Sequence, residues 1–366
     1  MGFSFSSFSQ DHTNETAAVS EEHHATGEKK LNVKEVIFGH IRDAHDWHLF
    51  SIGDFHASLP LPIILYSPSN GLSVFMSSKF EHGHAAYNGY KMISEHDVEA
   101  DAAANNGKSN LVKGKIFAVD GSKVYDMSIT KNVLSMLISL FLLWFLMTGI
   151  AKKYKKNGVH KAPKGWQNAI EPVIGFVQDN VAKPYLGNKS AKYMPLLLTF
   201  FFFIWINNLM GLVPGGANLT GNIAVTLVLT LIFFVVMLFN SNKYFWGHIF
   251  NPPGIPLGIK FILVPIEILS NLLIKPAALA IRLFANIFAG HTIILSLICM
   301  IFIFGAMNKG VGYGFSIVSV GFSVFMFFLE LLVAAIQAFI FTNLVAVFIG
   351  QAIEEHHHEE HAEAHH

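Results

Sequence analysis

The stretch Ala278-Leu-Ala-Ile-Arg-Leu-Phe-Ala-Asn-Ile-Phe-Ala-Gly-His291 decides the class of fold, because it sets one permanent charge inside a long apolar run. Between Lys275 and Lys309 the only formal charge is that of Arg282. A guanidinium keeps its proton at every physiological pH, and placing it at hydrocarbon depth costs at least about 2.5 to 3.5 kcal/mol. Because such charges usually serve an ion pathway or a counter-charge, Arg282 is the first candidate functional residue.

The composition is typical of a membrane protein with several spans. Of the 366 residues, 52% are hydrophobic and 14% are charged, whereas charged residues make up roughly a quarter of an ordinary soluble domain. The 25 basic and 25 acidic residues cancel, so the charge balance does not favour a nucleic acid as partner. The single cysteine, Cys299, excludes an intramolecular disulfide.

The distribution of polar residues divides the chain into three predicted regions. Residues 1–128 are polar and form an extracytoplasmic region, in which Asp120-Gly121 between β-prone flanks predicts a hairpin. Residues 129–353 form the membrane domain, and the His- and Glu-rich residues 354–366 form a tail. Lysines that follow the first span predict a cytoplasmic flank. The amino terminus is therefore expected in the periplasm, the tail in the cytoplasm, and the chain in a bacterial inner membrane.

We predict an all-α integral membrane protein with five transmembrane helices, an amphipathic interfacial helix and some β-hairpin content in the amino-terminal region. As helices, residues 276–307 and 311–353 would be about 48 and about 64 Å long, against a hydrocarbon core of ~30 Å. They must therefore tilt strongly, bend at Gly290 or Gly305, or break, with the segment 310–315 as the hairpin between them. The predicted spans are about 132–151, 196–213, 222–239, 258–308 and 311–353, and the interfacial helix covers about 163–182.

Four polar residues of the last two helices join Arg282 as candidates. Asn286 follows Arg282 by four positions and shares its helical face, whereas His291 points about half a turn away. Glu330 is the only charged residue of the last predicted span, and Gln337 lies within ~20° of it on the same face. Imidazole and a desolvated carboxyl suit proton transfer, because their pKa values lie or can be moved near neutrality. The permanent charge of arginine suits the opposite task of blocking a proton leak.

Each of these residues also has a purely structural interpretation. A lone buried arginine can bond to carbonyl groups at a kink. Asn286 and Gln337, taken singly, are most often hydrogen-bonding partners between helices, and a lone membrane histidine is often a satisfied core residue. The confinement of such groups to two adjoining helices favours a functional role.

Several motifs resemble those of a known family. They are Ile281-Arg-Leu-Phe-Ala-Asn-Ile-Phe-Ala-Gly-His291, the upstream Glu267 and Lys275-Pro276, Glu171-Pro-Val-Ile-Gly-Phe-Val, Asn207-Asn-Leu-Met-Gly-Leu-Val-Pro214 and Ile336-Gln-Ala-Phe-Ile-Phe. Together, over about residues 125–355, they resemble subunit a of the membrane sector of F-type ATP synthases. Many bacterial relatives carry the carboxyl at the position of His291 and the histidine at that of Glu330. Here the pair is exchanged, and Ala285 stands in place of the commoner glycine.

The resemblance implies a stator that is not catalytic alone and offers two offset aqueous half channels. Arg282 would face the carboxylates of a ring of c subunits, with Asn286 and Gln337 nearby, and His291 and Glu330 would line the outer path. The implied partners are the c-subunit ring, the b-subunit stator stalk, indirectly the soluble catalytic sector, and the lipid membrane. No cofactor and no metal ion is implied, and the sequence has no Gly-rich Lys motif for nucleotide binding.

Two other functions stay open from the sequence. One is a metal-ion or metabolite transporter that captures its cargo at the outer histidine cluster, His40, His45, His48 and His56. This cluster or the tail, which we expect to be a solvated cytoplasmic end, could bind Zn²⁺. The other is a respiratory subunit that holds haem. Paired repeats would favour the transporter, and facing histidines within the spans would favour haem. No paired repeats are visible in the sequence. No facing histidines are visible either, because His291 is the only histidine within the predicted spans.

Overall fold

A computed structural model of the chain describes residues 43–52, 55–83, 85–105, 111–158, 165–213, 216–250 and 256–353. The predicted solvated tail, residues 354–366, and His40 of the predicted outer histidine cluster lie outside the described residues. Of the described chain, the first part is built mainly from strands and the part from residue 131 onward from helices.

The amino-terminal region consists of short antiparallel sheets around a small core. Its elements are β1 Asp46–Ile52, β2 Phe55–Pro60, β3 Pro62–Ser67, β4 Gly71–Met76, a 3-10 helix Ser77–Gly83, β5 Ala86–Tyr87, β6 Tyr90–Met92, α1 Glu95–Ala104, β7 Ile116–Ala118 and β8 Tyr125–Asp126. One sheet pairs β1 with β2, a second has the order β4-β3-β8, and a third has the order β5-β6-β7. The core is formed by Ile63, Leu65, Phe80, Tyr90, Ile116 and Ala118.

The prediction of a hairpin at Asp120-Gly121 is wrong, although the chain does turn there. The strands on either side join different sheets, since β7 pairs with β6 and β8 pairs with β3. The Asp120 carboxylate accepts hydrogen bonds from the Ser122 amide at 3.0 Å and the Ser69 hydroxyl at 2.9 Å. These bonds fasten the turn to the β3–β4 connection, so non-local pairing overrides the local hairpin signal.

The described residues from 131 onward form the predicted all-α membrane domain with five membrane-spanning helices. In the described chain, five helical runs are long and apolar enough to cross a membrane, beginning at residues 131, 166, 223, 258 and 309. The helices are α2 Lys131–Asn157, α3 Trp166–Val177, α4 Lys183–Leu186, α5 Ser190–Leu212, α6 Ile223–Asn240, α7 Lys243–Phe250, α8 Leu257–Leu269, α9 Lys275–Met307 and α10 Lys309–Ile353.

Two of these runs contain wide turns. A π turn at Gln178–Ala182 and a short 3-10 turn at Gly187–Lys189 link α3 to α5, so the amphipathic segment continues into the following span. A second π turn, Ser270–Ile274, links α8 to α9. The sides of the membrane on which the three regions lie stay a prediction.

The two long helices α9 and α10 form an antiparallel hairpin that turns at one residue. The segment 310–315, predicted as the loop, is the helical start of α10, and Asn308 makes the turn instead. The Asn308 side chain accepts a hydrogen bond from the Gly310 amide at 2.8 Å. The glycines serve close packing, because a β-carbon added to Gly312 would lie 2.6 Å from the Gly305 Cα atom. At 45 residues α10 is roughly 68 Å long, so it must tilt strongly to fit a membrane.

The carboxyl-terminal end of α10 is held to its neighbours by hydrogen bonds to its last carbonyl groups. The backbone amide of Asn242 donates to the Ala352 carbonyl at 2.8 Å, and its side-chain amide donates to the Ile353 carbonyl at 3.1 Å. The carbonyls at a helix end have no partner within the helix. These contacts therefore stabilise the end of α10 and fix its position relative to the end of α6.

The approach of α9 to α10 predicts different effects for two alanine substitutions. Gly312→Ala should lower the thermal midpoint of the detergent-solubilised protein, since overpacking of this kind costs about 1 to 3 kcal/mol. Gly314→Ala is the matched control, because nothing lies within 4 Å of its added β-carbon and alanine favours a helix over glycine. Equal shifts of the two midpoints would contradict the close contact.

Candidate functional site

The structure brings four of the five predicted residues together in two pairs between α9 and α10. The Asn286 Nδ2 atom donates a hydrogen bond to Gln337 Oε1 at 2.8 Å. Gln337 is buried, whereas Asn286 reaches the exposed side of α9. This contact is a hydrogen bond between two helices, which is the structural role that the sequence left open for both residues. It also fixes a polar group next to the face that carries Arg282.

The second pair joins the two titratable residues. His291 Nδ1 lies 3.2 Å from Glu330 Oε1. Glu330 is only 4% exposed, and in the described chain its other carboxyl oxygen has no hydrogen-bond partner. Gly290 makes room for the pair, since a β-carbon there would lie 2.8 Å from Glu330 Oε1. The arrangement can hand a proton between imidazole and carboxyl, and the open oxygen points to a missing third partner.

Arg282 lies on the exposed side of α9, one helical turn before Asn286 and away from the His291–Glu330 pair. None of the described residues offers its guanidinium a hydrogen bond or an ion pair. Ile281, Ala285 and Ala289 are exposed on the same side of the helix. The charge is therefore surrounded by apolar and small side chains and turned away from the interior of its own chain.

A further polar group lies on the other side of Arg282 along the chain. Lys275 begins α9, donates a hydrogen bond to Asn271 and lies over the ring of Phe348 with its Nζ atom 5.3 Å from the centroid. Glu267 lies near enough to interact electrostatically with Lys275. At ~1.5 Å per residue, Arg282 is roughly 10 Å from the level of Lys275 and roughly 14 Å from that of His291.

Sequence reasoning assigned no role to a group of buried amides and hydroxyls on the neighbouring helices. Asn208 Nδ2 donates to the Ala334 carbonyl of α10 at 3.3 Å, and Asn208 Oδ1 accepts from Thr220 at 2.7 Å. Asn207 Nδ2 donates to Ser139 Oγ of α2 at 3.0 Å. Two adjacent asparagines in an otherwise uncharged span were the available signal, because buried amides in a membrane usually have partners.

The predicted metal-capture site gains no support from the described residues. They contain no group of three or more His, Cys, Asp or Glu side chains placed to hold a metal ion. His45 instead lies 2.9 Å from Asp126. The side chains of His48 and His56, like His40 and the tail, lie outside what the structure describes.

Known proteins resemble the chain over most of its length. ATP synthase subunit a of Chlorobium phaeobacteroides is 39% identical over 296 residues, which are 78% of this chain and 83% of that protein. The subunit a of Pelodictyon phaeoclathratiforme is 39% identical over 76% of this chain and 81% of its own length. That of Chloroherpeton thalassium is 41% identical over 66% of this chain and 71% of its own length.

Two families match separate parts of the chain. Residues 36–127 match a domain of unknown function, DUF8433, which includes the β-rich region. Residues 133–350 match the ATP synthase A chain, and this match includes α9, α10 and all five candidate residues. The helical part, the two buried polar pairs and the outward-facing arginine are thus features of a chain that belongs to the ATP synthase A chain family.

Proposed function

We propose that Arg282 of this chain faces the carboxylates of a rotating c-subunit ring and separates two proton access paths, one lined by His291 and Glu330. The family supplies the proton-translocating stator subunit of the membrane sector of F-type ATP synthases, which is not catalytic on its own. The observation that carries the site assignment is the exposed Arg282 on an apolar helix surface, without a partner among the described residues.

The environment of Arg282 calls for an acidic partner from another chain. The charge cannot be removed by deprotonation, and an unpaired charge in hydrocarbon is costly. Ala285 and Ala289 flank it on the exposed side of α9, and small residues allow a second helix to approach closely. A carboxylate on such a helix would pair with Arg282 while ionised. It would leave once protonated, so that each acid must exchange its proton on one side or the other.

His291 and Glu330 suit the outer path. Their side chains form one proton-exchanging unit, buried on the carboxyl side and part-exposed on the imidazole side. The open oxygen of Glu330 and the neighbouring buried amides offer further partners for water. Glu267, Asn271 and Lys275 lie beyond Arg282 in the opposite direction, and we assign them to the inner path.

The orientation follows from the lysines at the end of α2. Lys152, Lys153, Lys155 and Lys156 end this first membrane-spanning helix, and positively charged flanks remain in the cytoplasm. On this ground we assign the β-rich region to the periplasmic side of a bacterial inner membrane and the carboxyl terminus to the cytoplasm. The b-subunit stalk then contacts the chain from the cytoplasmic side and connects it to the soluble catalytic sector.

Removal of the charge at Arg282 should uncouple the complex. Arg282→Ala should abolish ATP synthesis driven by an imposed proton gradient, because no fixed charge then separates the two paths. ATP hydrolysis by catalytic heads detached from the membrane should be unchanged. Full coupling of synthesis to the gradient in this variant would show that Arg282 has no gating role.

An exchange of the two titratable residues tests whether they act as one unit. The double variant His291→Glu, Glu330→His should retain more ATP-driven proton pumping than His291→Ala or Glu330→Ala, since it keeps an imidazole and a carboxyl in contact. Equal loss in all three variants, at equal levels of assembled complex, would argue against a shared proton path.

The position of the Glu330 carboxyl should matter as much as its identity. Gly290→Ala places a methyl group against Glu330 Oε1. We expect proton pumping to fall by roughly tenfold, because small displacements of reacting groups slow the reaction strongly. Gly305→Ala on the same helix is the control, because nothing lies within 4 Å of its added β-carbon. Equal pumping by the two variants would contradict a dependence on this geometry.

A further inference from the structure

One face of α2 carries three buried polar side chains, two of which lack hydrogen-bond partners among the described residues. Asn132, Ser135 and Ser139 follow one another at helical spacing and are 3%, 0% and 0% exposed. In the described chain, both side-chain atoms of Asn132 and the hydroxyl of Ser135 have no partner. Unpartnered polar atoms are rare in dry protein interiors, and they usually mark the place of ordered water.

The polar face of α2 leads towards Glu330. Ser139 accepts a hydrogen bond from Asn207 on α5, and the Oδ1 atom of Asn207 is again buried without a partner in the described chain. The next residue, Asn208, donates to the Ala334 carbonyl, which lies one helical turn after Glu330. Buried polar groups therefore follow one another from the start of α2 to the proton-exchanging pair.

The outer end of this row opens among charged side chains of the β-rich region. The Asp43 carboxylate accepts hydrogen bonds from the backbone amides of Asn132 and Ala44. Asp43 and Asp46 both lie near enough to interact electrostatically with Lys131, the first residue of α2. His45, beside them, contacts Asp126 at 2.9 Å.

The Asp126 carboxylate is held in its ionised form. Burial would raise its pKa, but hydrogen bonds from His45 and Ser128 outweigh burial, so the pKa of Asp126 lies below its usual value. Carboxylates and an imidazole next to a row of polar groups suit the collection of protons from the aqueous side.

We propose that Asn132, Ser135, Ser139 and Asn207 line a water-filled branch of the outer proton path, with Asp43, His45 and Asp126 of the β-rich region at its mouth. Its ligand is water, which relays protons towards Glu330. The branch rests on the proposed function for the direction of transport. It assigns to the amino-terminal region a part in proton uptake.

A dry interface held by hydrogen bonds is the alternative, and the contacts speak against it at the outer end. Ser139 and Asn207 satisfy each other in part, as membrane helices commonly do. Asn132 and Ser135 have no such contact in the described chain. Because no water is available from hydrocarbon, their partners must come from a water column continuous with the outside.

Cysteine reactivity in the whole ATP synthase tests for water at Ser135. In a Cys299→Ser background, purified complex carrying Ser135→Cys is treated with Ag⁺ and reconstituted, and ATP-driven proton pumping is measured. Because a thiol reacts as its thiolate, which forms only where water reaches it, we expect inhibition at least ~10-fold faster than in the control. The control is Ser319→Cys, since Ser319 is equally buried but donates to the Leu297 carbonyl at 2.6 Å. Equal rates at the two positions, fast or slow, would overturn the proposal.

A second variant separates a water path from a packing role. Asn132→Leu keeps the number and branching of the side-chain heavy atoms and removes both polar atoms, so a dry interface would tolerate it better than a water path would. A water path predicts that proton pumping falls several-fold, while ATP hydrolysis by detached catalytic heads and subunit levels are unchanged, with partial rescue by Asn132→Ser. Normal pumping by Asn132→Leu would overturn the proposal. Retained coupling in Arg282→Ala would instead remove the proposed function and leave the measured solvent access at Ser135 as it is.

Discussion

The Arg282 guanidinium, a charge that no proton transfer can remove, lies on an apolar helix surface and is the constraint on which the rest of the site depends. The described part of the chain offers it no counter-charge, so its partner must come from outside. The exposed alanines beside it have small side chains, so a second helix can approach this surface closely. The long antiparallel pair α9 and α10 then sets titratable groups at a fixed distance from the charge, and a charge barrier stands between two polar zones.

The sequence predicted the parts of this site that depend on local periodicity. Uncharged runs mark the spans because hydrocarbon excludes charge, and the helical period fixes which face Arg282, Asn286 and His291 occupy. The sequence did not predict the contacts that depend on how α10 is aligned along α9. The chain turns at Asn308, whereas the glycines at 310–315 suggested a later turn. A later turn would shift α10 along α9 and separate Glu330 from His291.

Other parts could not be predicted because they depend on non-local contacts. The turn at Asp120 was visible, but its flanking strands choose partners far along the chain, and only the folded sheets show which. Asn207 and Asn208 were visible as a motif, but their directions towards α2 and α10 depend on how three helices pack. Polar residues within a span are thus easy to find from sequence, and their partners are not.

In our proposal, the unsatisfied polar atoms mark where water enters this apolar domain. Among the described residues of α2, α5 and α10, such atoms belong to Asn132, Ser135, Asn207, Ser323, Glu330 and Gln337, and together they extend from the start of the first span to the centre of the last. Each buried polar group without a hydrogen-bond partner in a membrane costs free energy, unless water reaches it. The β-rich region meets this row where it begins, through the bond from the Asn132 amide to Asp43. Its attachment to the first span is therefore continuous with the path by which we propose that protons reach Glu330.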